Sequence, residues 1–335
     1  EQARRLALGW AEEHGVPDVV HAHDFTTLEL AAELADGWDV PFIYDTHEYW
    51  RGRPTEGRPA PVLTRREHRV ERAVGGRAAA VVTVGPGVAG ALRRDHPDWP
   101  EIAVVRNSFP ERTDAPPVAT PPTGAVYAGR LARDRELETI AAASRSTDLP
   151  LTLMGPGDES WLSGFDRGRC AVLPAGTLAE VDERLTAAGI ALVTHSDAWD
   201  NHRLALPNKL FHALSLGVPV VATEVGELAA VVREYECGTL YRPGDPRDLA
   251  RALEEVVERH DHFLAQVRAA RHDASWSRDR AVLLGVYAGV SRRQPEPESR
   301  TPRTSGSPIR QARALRGQDP QSRRDGDPTR VDPDD

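Results

Sequence analysis

A chain of 335 residues is long enough for two medium-sized domains, each with its own buried core. A net charge of −9 excludes whole-surface attraction to nucleic acid or anionic lipid, so any phosphate must be bound in a local pocket. No apolar run is long enough to span a bilayer, and two cysteines, Cys170 and Cys237, are too few for a disulfide framework.

Over roughly the first 110 residues, helix-like and strand-like stretches alternate, as a parallel α/β sheet requires. Residues 2–14 predict a helix, 18–22 a short buried strand, 26–34 a helix and 40–44 a strand. An arginine-rich amphipathic helix over 63–74 leads to a strand at 79–84, a helix at 86–94 and a strand at 102–105. Proline and threonine then dominate 110–122, the signature of a linker. A second set follows: strand 124–128, helix 137–144, strand 151–154, helix 178–188, strand 190–194, helix 208–216, strand 218–223 and helix 228–234. Helices at 248–259, 263–271 and 280–290 close it, and beyond Ser291 the loss of apolar periodicity predicts a disordered tail. The expected organisation is a first domain at 1–112, a linker at 113–122, a second domain at 123–275, a helix at 276–290 and a tail at 291–335. Two parallel sheets in series set a ligand cleft at the carboxyl ends of their strands.

Residue usage singles out one spot. The basic residues are almost all arginine, Lys209 is the only lysine, and Asn107, Asn201 and Asn208 are the only asparagines. Asn208 and Lys209 therefore run against the composition side by side. They sit in Asn201-His202-Arg203-Leu204-Ala205-Leu206-Pro207-Asn208-Lys209-Leu210-Phe211-His212, a polar loop entering a helix, whose free N–H groups favour an anion. The plainer alternative is that Asn208 caps the helix and Lys209 is solvated. Gly129-Arg130-Leu131-Ala132-Arg133-Asp134-Arg135 follows another strand, and its arginine forks suit diphosphate oxygens, or a solvated loop.

Gly129-Arg130-Leu131 with Arg135, Pro207-Asn208-Lys209-Leu210-Phe211, and Gly217-Val218-Pro219-Val220-Val221-Ala222-Thr223 together resemble the retaining glycosyltransferase family 4. Val225-Gly226-Glu227-Leu228 and Gly238-Thr239-Leu240-Tyr241-Arg242-Pro243-Gly244-Asp245-Pro246 extend the likeness. It implies the GT-B fold: two Rossmann-like parallel-sheet domains facing across a cleft, the first incomplete at its front. It also implies a nucleoside-diphosphate sugar as co-substrate, held by the second domain, with neither metal nor cofactor. On this resemblance Arg130, Arg135 and Lys209 hold the donor diphosphate, Gly155 and Pro207-Asn208 border it, and Glu227 holds a sugar hydroxyl. His47, in Tyr44-Asp45-Thr46-His47-Glu48-Tyr49, contacts the donor sugar. Two glutamates usual in the family are replaced by Leu204 and His212, and His212 falls where the donor ribose is gripped.

His21-Ala22-His23-Asp24 ends a neighbouring strand, and His21, His23 and His47 also admit a metal site. The family offers a metal-free use for His47, and satisfied strand-end histidines are the expectation for His21 and His23. Gly155-Pro156-Gly157 lacks the third glycine and the following acid of a dinucleotide fingerprint. Arg65, Arg66, Arg69 and Arg72 could rest on a membrane, whereas Glu67 and Glu71 favour a solvated, ion-paired face. The expectation is a retaining, metal-independent glycosyltransferase acting on an unidentified sugar, lipid or small-molecule acceptor. Its place is the cytoplasm, with peripheral contact at the inner membrane face as a secondary expectation, and nucleic acid is not a partner. Two rivals remain at this level: a degenerate donor-binding protein and a sugar-nucleotide epimerase. A chain opening on Glu1, with Met154 its only methionine, is also expected to be a fragment.

Overall fold

The computed structural model describes residues 1–53, 62–112 and 114–292. Most of the expected tail, and residue 113 of the expected linker, lie outside the described residues.

The first unit runs α1 (Gln2–His14), β1 (Val20–His23), α2 (Phe25–Trp38), β2 (Phe42–Thr46), a 3-10 turn (Trp50–Gly52), α3 (Val62–Gly75), β3 (Ala80–Thr83), α4 (Pro86–Asp95) and β4 (Ile102–Val104). Its four strands pair in parallel in sequential order. Short runs such as Phe42-Ile43-Tyr44 are buried on both faces, as helices covering both sides of a parallel sheet require. The second unit begins with β5 (Ala125–Ala128), a 3-10 turn (Arg133–Arg135), α5 (Leu137–Ala143), β6 (Leu151–Met154), α6 (Glu159–Gly164) and β7 (Ala171–Leu173). It continues with α7 (Leu178–Ala188), β8 (Ala191–Val193), α8 (Asp200–Leu204), α9 (Asn208–Leu216), β9 (Val220–Thr223), α10 (Gly226–Tyr235) and β10 (Gly238–Tyr241). Helices α11 (Pro246–Glu258), α12 (His260–Ala270) and α13 (Trp276–Arg292) end the described chain.

The second sheet has the order β10-β9-β8-β5-β6-β7, all parallel. Strand order reverses where β5 meets β8. In open α/β sheets that reversal leaves a crevice beyond the carboxyl ends, where ligands bind. Gly129 follows β5, so the Gly129-Arg130-Leu131 motif falls on that crevice.

Four elements depart from the sequence reading: β7, β10, α6 and α8 were not expected. Gly238 hides β10, because glycine usually marks a turn. Here a methyl group at Gly238 would lie 1.8 Å from the Val220 carbonyl oxygen, so close strand packing demands glycine. The expected linker is no free tether either. Ala119 N–H donates to Thr186 O at 2.8 Å and Thr123 N–H to Ala188 O at 2.9 Å, which lays the segment along α7. Helix α13 returns to the first sheet, where Val290 packs with Ile43, Val82 and Val105. Asp279 anchors it by accepting from the Arg106 backbone and guanidinium and from Ser108.

Beneath α3, Glu71 is buried against Tyr44, whose hydroxyl donates to it at 2.9 Å. Burial pushes the Glu71 carboxyl from 4.5 up to about 7, against the opposing effect of the Tyr44 bond. Between those values the folded state holds a proton that the unfolded chain has released, so stability falls as pH rises through the window. A shift of that size corresponds to roughly 3 kcal/mol. Glu71→Gln should therefore gain stability over wild type progressively between pH 5 and 8, measured by denaturant midpoints across pH. Parallel wild-type and variant profiles would contradict the buried, protonated carboxyl.

Candidate functional site

The second-domain corner is built from two loops laid side by side. Beyond their paired strands, Gly129 N–H donates to Met154 O at 2.8 Å and Leu131 N–H to Pro156 O at 2.7 Å. The approach is so close that a methyl group on Gly155 would lie 1.9 Å from Gly129 O. One on Gly129 would lie 2.2 Å from Lys209 Cε. The lysine stem thus lies directly on the glycine backbone, with Nζ 5.2 Å from the centre of the Tyr127 ring. Lys209 stands in the first turn of α9, behind Pro207 at the cap position, and no side chain caps that end. Asn208 is exposed and is the first residue of the helix, so the capping role open to it in sequence is not the one it takes.

Arg135 ends the 3-10 turn after β5, where its carbonyl accepts from Thr194 Oγ1 at 2.7 Å. Buried His195 marks the point where these cations gather. Burial drives its imidazole down to about 3, and neighbouring His202, Arg135 and Lys209 add to the effect. Arg130 is exposed one residue after Gly129. The corner therefore offers fixed positive charge and a bare backbone surface, which together suit a diphosphate. His195 escaped the sequence reading. Its only signal is its place directly after a buried strand.

The facing wall belongs to the first sheet. His23 opposes Asp45 in the β1–β2 register, and His47 follows β2. Asp45 Oδ2 lies 3.3 Å from His21 Nε2, 3.4 Å from His23 Nδ1 and 3.5 Å from His47 Nε2. The expectation of independently satisfied strand-end histidines is thus replaced by one cluster. The next residues bridge the cleft: Asn201 Oδ1 accepts from Tyr49 N–H at 3.0 Å, and its Nδ2 donates to Glu48 Oε2 at 2.8 Å.

Two predicted residues are otherwise engaged. Glu227, in the first turn of α10, accepts from the Gly87 amide at the start of α4, and burial outweighs that bond to raise its carboxyl. His212 is buried, stacked on Phe109, with Nε2 2.6 Å from Asp182 Oδ1. Arg112 holds the other Asp182 oxygen at 2.7 Å. A glutamate at 212 would set two carboxylates together there, so buried Asp182 accounts for the histidine. His212 nevertheless shares with Lys209 a small cavity walled by Val126, Ala128 and Val193.

Residues 2–108 match the family model described as glycosyl transferase 4-like domain, and residues 123–259 the one described as glycosyl transferases group 1. Glycogen synthase of Mycobacterium tuberculosis is 27% identical over 304 residues, covering 85% of this chain and 72% of the relative. The D-inositol 3-phosphate glycosyltransferase of Pseudarthrobacter chlorophenolicus is 26% identical over 324 residues, covering 87% and 74%. Among solved structures, sucrose-phosphate synthase from Thermosynechococcus elongatus superimposes with a TM-score of 0.66 at 17% identity, covering 86% of this chain and 77% of that one. Anabaena HepE in complex with UDP gives 0.67 at 14% identity, covering 86% and 82%. Each of the two domains thus matches a glycosyltransferase model, and the chain belongs to the glycosyltransferases of the GT-B fold, which move a sugar from a nucleotide-sugar donor.

Proposed function

We propose that this chain transfers a sugar with retention of configuration and binds its donor diphosphate without a metal ion. The observation that carries the reading is Lys209 seated on Gly129, which Gly155 backs, at the point where the second sheet reverses its strand order. Arg130, Arg135 and Lys209 supply the charge that a divalent ion would otherwise bring to the leaving diphosphate. Pro207 and Asn208 present the uncapped start of α9 to the same phosphates. His47 faces the donor sugar from the opposite wall, and a sugar hydroxyl replaces the Gly87 amide as the partner of Glu227. His212 acts at one remove, setting α9 through Asp182 instead of gripping the ribose.

The acceptor is a hydroxyl-bearing molecule. Relatives named for glycogen synthesis and for inositol phosphate support a sugar or cyclitol over a lipid. Among the described residues no helix is long and apolar enough to cross a membrane. The first test uses UDP, the nucleotide bound in the Anabaena structure. Calorimetry should give the same affinity with and without a chelator, and binding that strictly requires a divalent ion would sink the metal-free reading. Proton NMR of the product then settles the stereochemistry, since an inverted anomeric centre contradicts retention. Tight UDP binding without turnover over a panel of sugar and cyclitol acceptors would favour the degenerate binding protein.

A further inference from the structure

We infer that His68, Glu71 and His96, beneath α3 in the first domain, form a binding site for zinc or a similar divalent transition metal. One donor atom from each of the three lies within 4.8 Å of the others. His68 and Glu71 stand three residues apart on α3 and so share one face of it. His96 directly follows the last residue of α4, so the group joins the two helices. Glu71 and His96 are each 2% exposed, and His68 is half-buried.

The observation that points to a ligand is a pair of orphaned nitrogens. Nδ1 of His68 and Nδ1 of His96 are both buried without a hydrogen-bond partner. Buried polar atoms are nearly always satisfied, so two of them beside one carboxylate call for a shared partner. Their rings are tilted by 33° with centroids 5.1 Å apart, and neither Nδ1 bonds the other. A cation held between them and the carboxylate satisfies both. Burial lowers both imidazoles, His96 to about 4, so each is neutral, as a metal ligand must be. Arg51 and Arg72 reinforce that effect and Asp95 opposes it. Glu67 and Asp95 bear on Glu71 in turn, so three carboxylates outnumber the two arginines.

Two imidazole nitrogens and one carboxylate, with a fourth position for water, make a zinc donor set, whereas magnesium and calcium want oxygen. Donors in a zinc shell stand roughly 3.3–3.5 Å apart, so half-buried His68 turns slightly to close on the ion. Outer contacts fix the other two ligands, as they do at metal centres. Tyr44 Oη donates to Glu71 Oε1 at 2.9 Å. The His96 ring lies flat on Trp99 with centroids 4.0 Å apart, and Trp99 Nε1 donates to Arg72 O at 3.1 Å. In the metal-free protein Glu71 keeps its proton near neutrality, and the metal takes that proton's place. The group belongs to the first domain and the donor corner to the second, so this metal has no part in holding the diphosphate.

The test is titration of the metal-stripped chain with Co²⁺ followed by visible absorption, then displacement by Zn²⁺ followed by calorimetry. One equivalent should bind. Removing an outer partner at such sites costs about ten- to a hundredfold in affinity, so Tyr44→Phe should weaken binding about tenfold. His96→Ala and Glu71→Gln each remove a ligand and should weaken it about a hundredfold or more. Glu71→Gln is the decisive variant. It keeps an acceptor for Tyr44 and is expected to fold at least as stably as wild type, so its loss of metal cannot be laid to a damaged core. His23→Ala should bind as wild type does, because His23 belongs to a separate group with His21 and Asp45. No saturable binding by wild type means that water fills the gap, and it overturns the proposal. Binding that survives Glu71→Gln, or that is lost only in His23→Ala, overturns it as well.

Discussion

Lys209→Ala should weaken nucleoside-diphosphate binding roughly ten- to a hundredfold while leaving affinity for the matching nucleoside unchanged, the measure of a charge-assisted phosphate contact. The selectivity follows from where the lysine lies. Its stem rests on Gly129 and its ammonium near the Tyr127 ring, beyond the carboxyl end of β5. A compact ammonium with rotatable donors fits that space. A planar guanidinium on a longer stem does not, so Lys209→Arg should restore only part of the loss even though the charge returns. Calorimetry with nucleoside and nucleoside diphosphate on all three proteins decides the matter. Equal diphosphate affinities would remove the donor-site assignment, and equal losses for both ligands would point to a damaged fold.

How legible this was in the sequence depended on whether the signal was local. Lys209 stood out because a chain that uses arginine everywhere else keeps a single lysine. The alternation of strands and helices was legible because each strand is a short apolar run between turn residues. Contacts made by register were not. Gly129 and Gly155 each look like an ordinary loop glycine, and only the pairing of Ala128 with Met154 brings them together. His21 and His23 could be seen two apart on one strand. That Asp45 would lie opposite His23, with Tyr287 arriving from α13, needed the folded sheet. His212 shows the same limit, because its departure from the family's glutamate makes sense only beside buried Asp182, a residue of another helix.

Gly155→Ala should damage the second domain severely, and the reason is backbone contact more than backbone strain. Gly155 has φ of 151°, so any side chain there is strained, but Gly244 at φ 74° carries a comparable burden. The two sites differ in their surroundings. An added methyl meets nothing within 4 Å at Gly244, whereas at Gly155 it would lie 1.9 Å from Gly129 O and 2.7 Å from Gly129 C. Those atoms are main chain and cannot swing aside as a side-chain tip would. The loops must part, which breaks the bonds from Gly129 N–H to Met154 O and from Leu131 N–H to Pro156 O. Strain, two lost hydrogen bonds and the displaced packing together correspond to ~3 kcal/mol or more. Gly244→Ala should cost only ~1 kcal/mol. Because Gly129 also forms the surface under Lys209, donor binding in Gly155→Ala should fall further than in Lys209→Ala, and the nucleoside should be lost with the diphosphate. Denaturant midpoints and calorimetry on the two glycine variants side by side provide the comparison. If Gly155→Ala proves no worse than Gly244→Ala, the loops have room to separate, and the account of Gly129 as a rigid seat for the lysine fails.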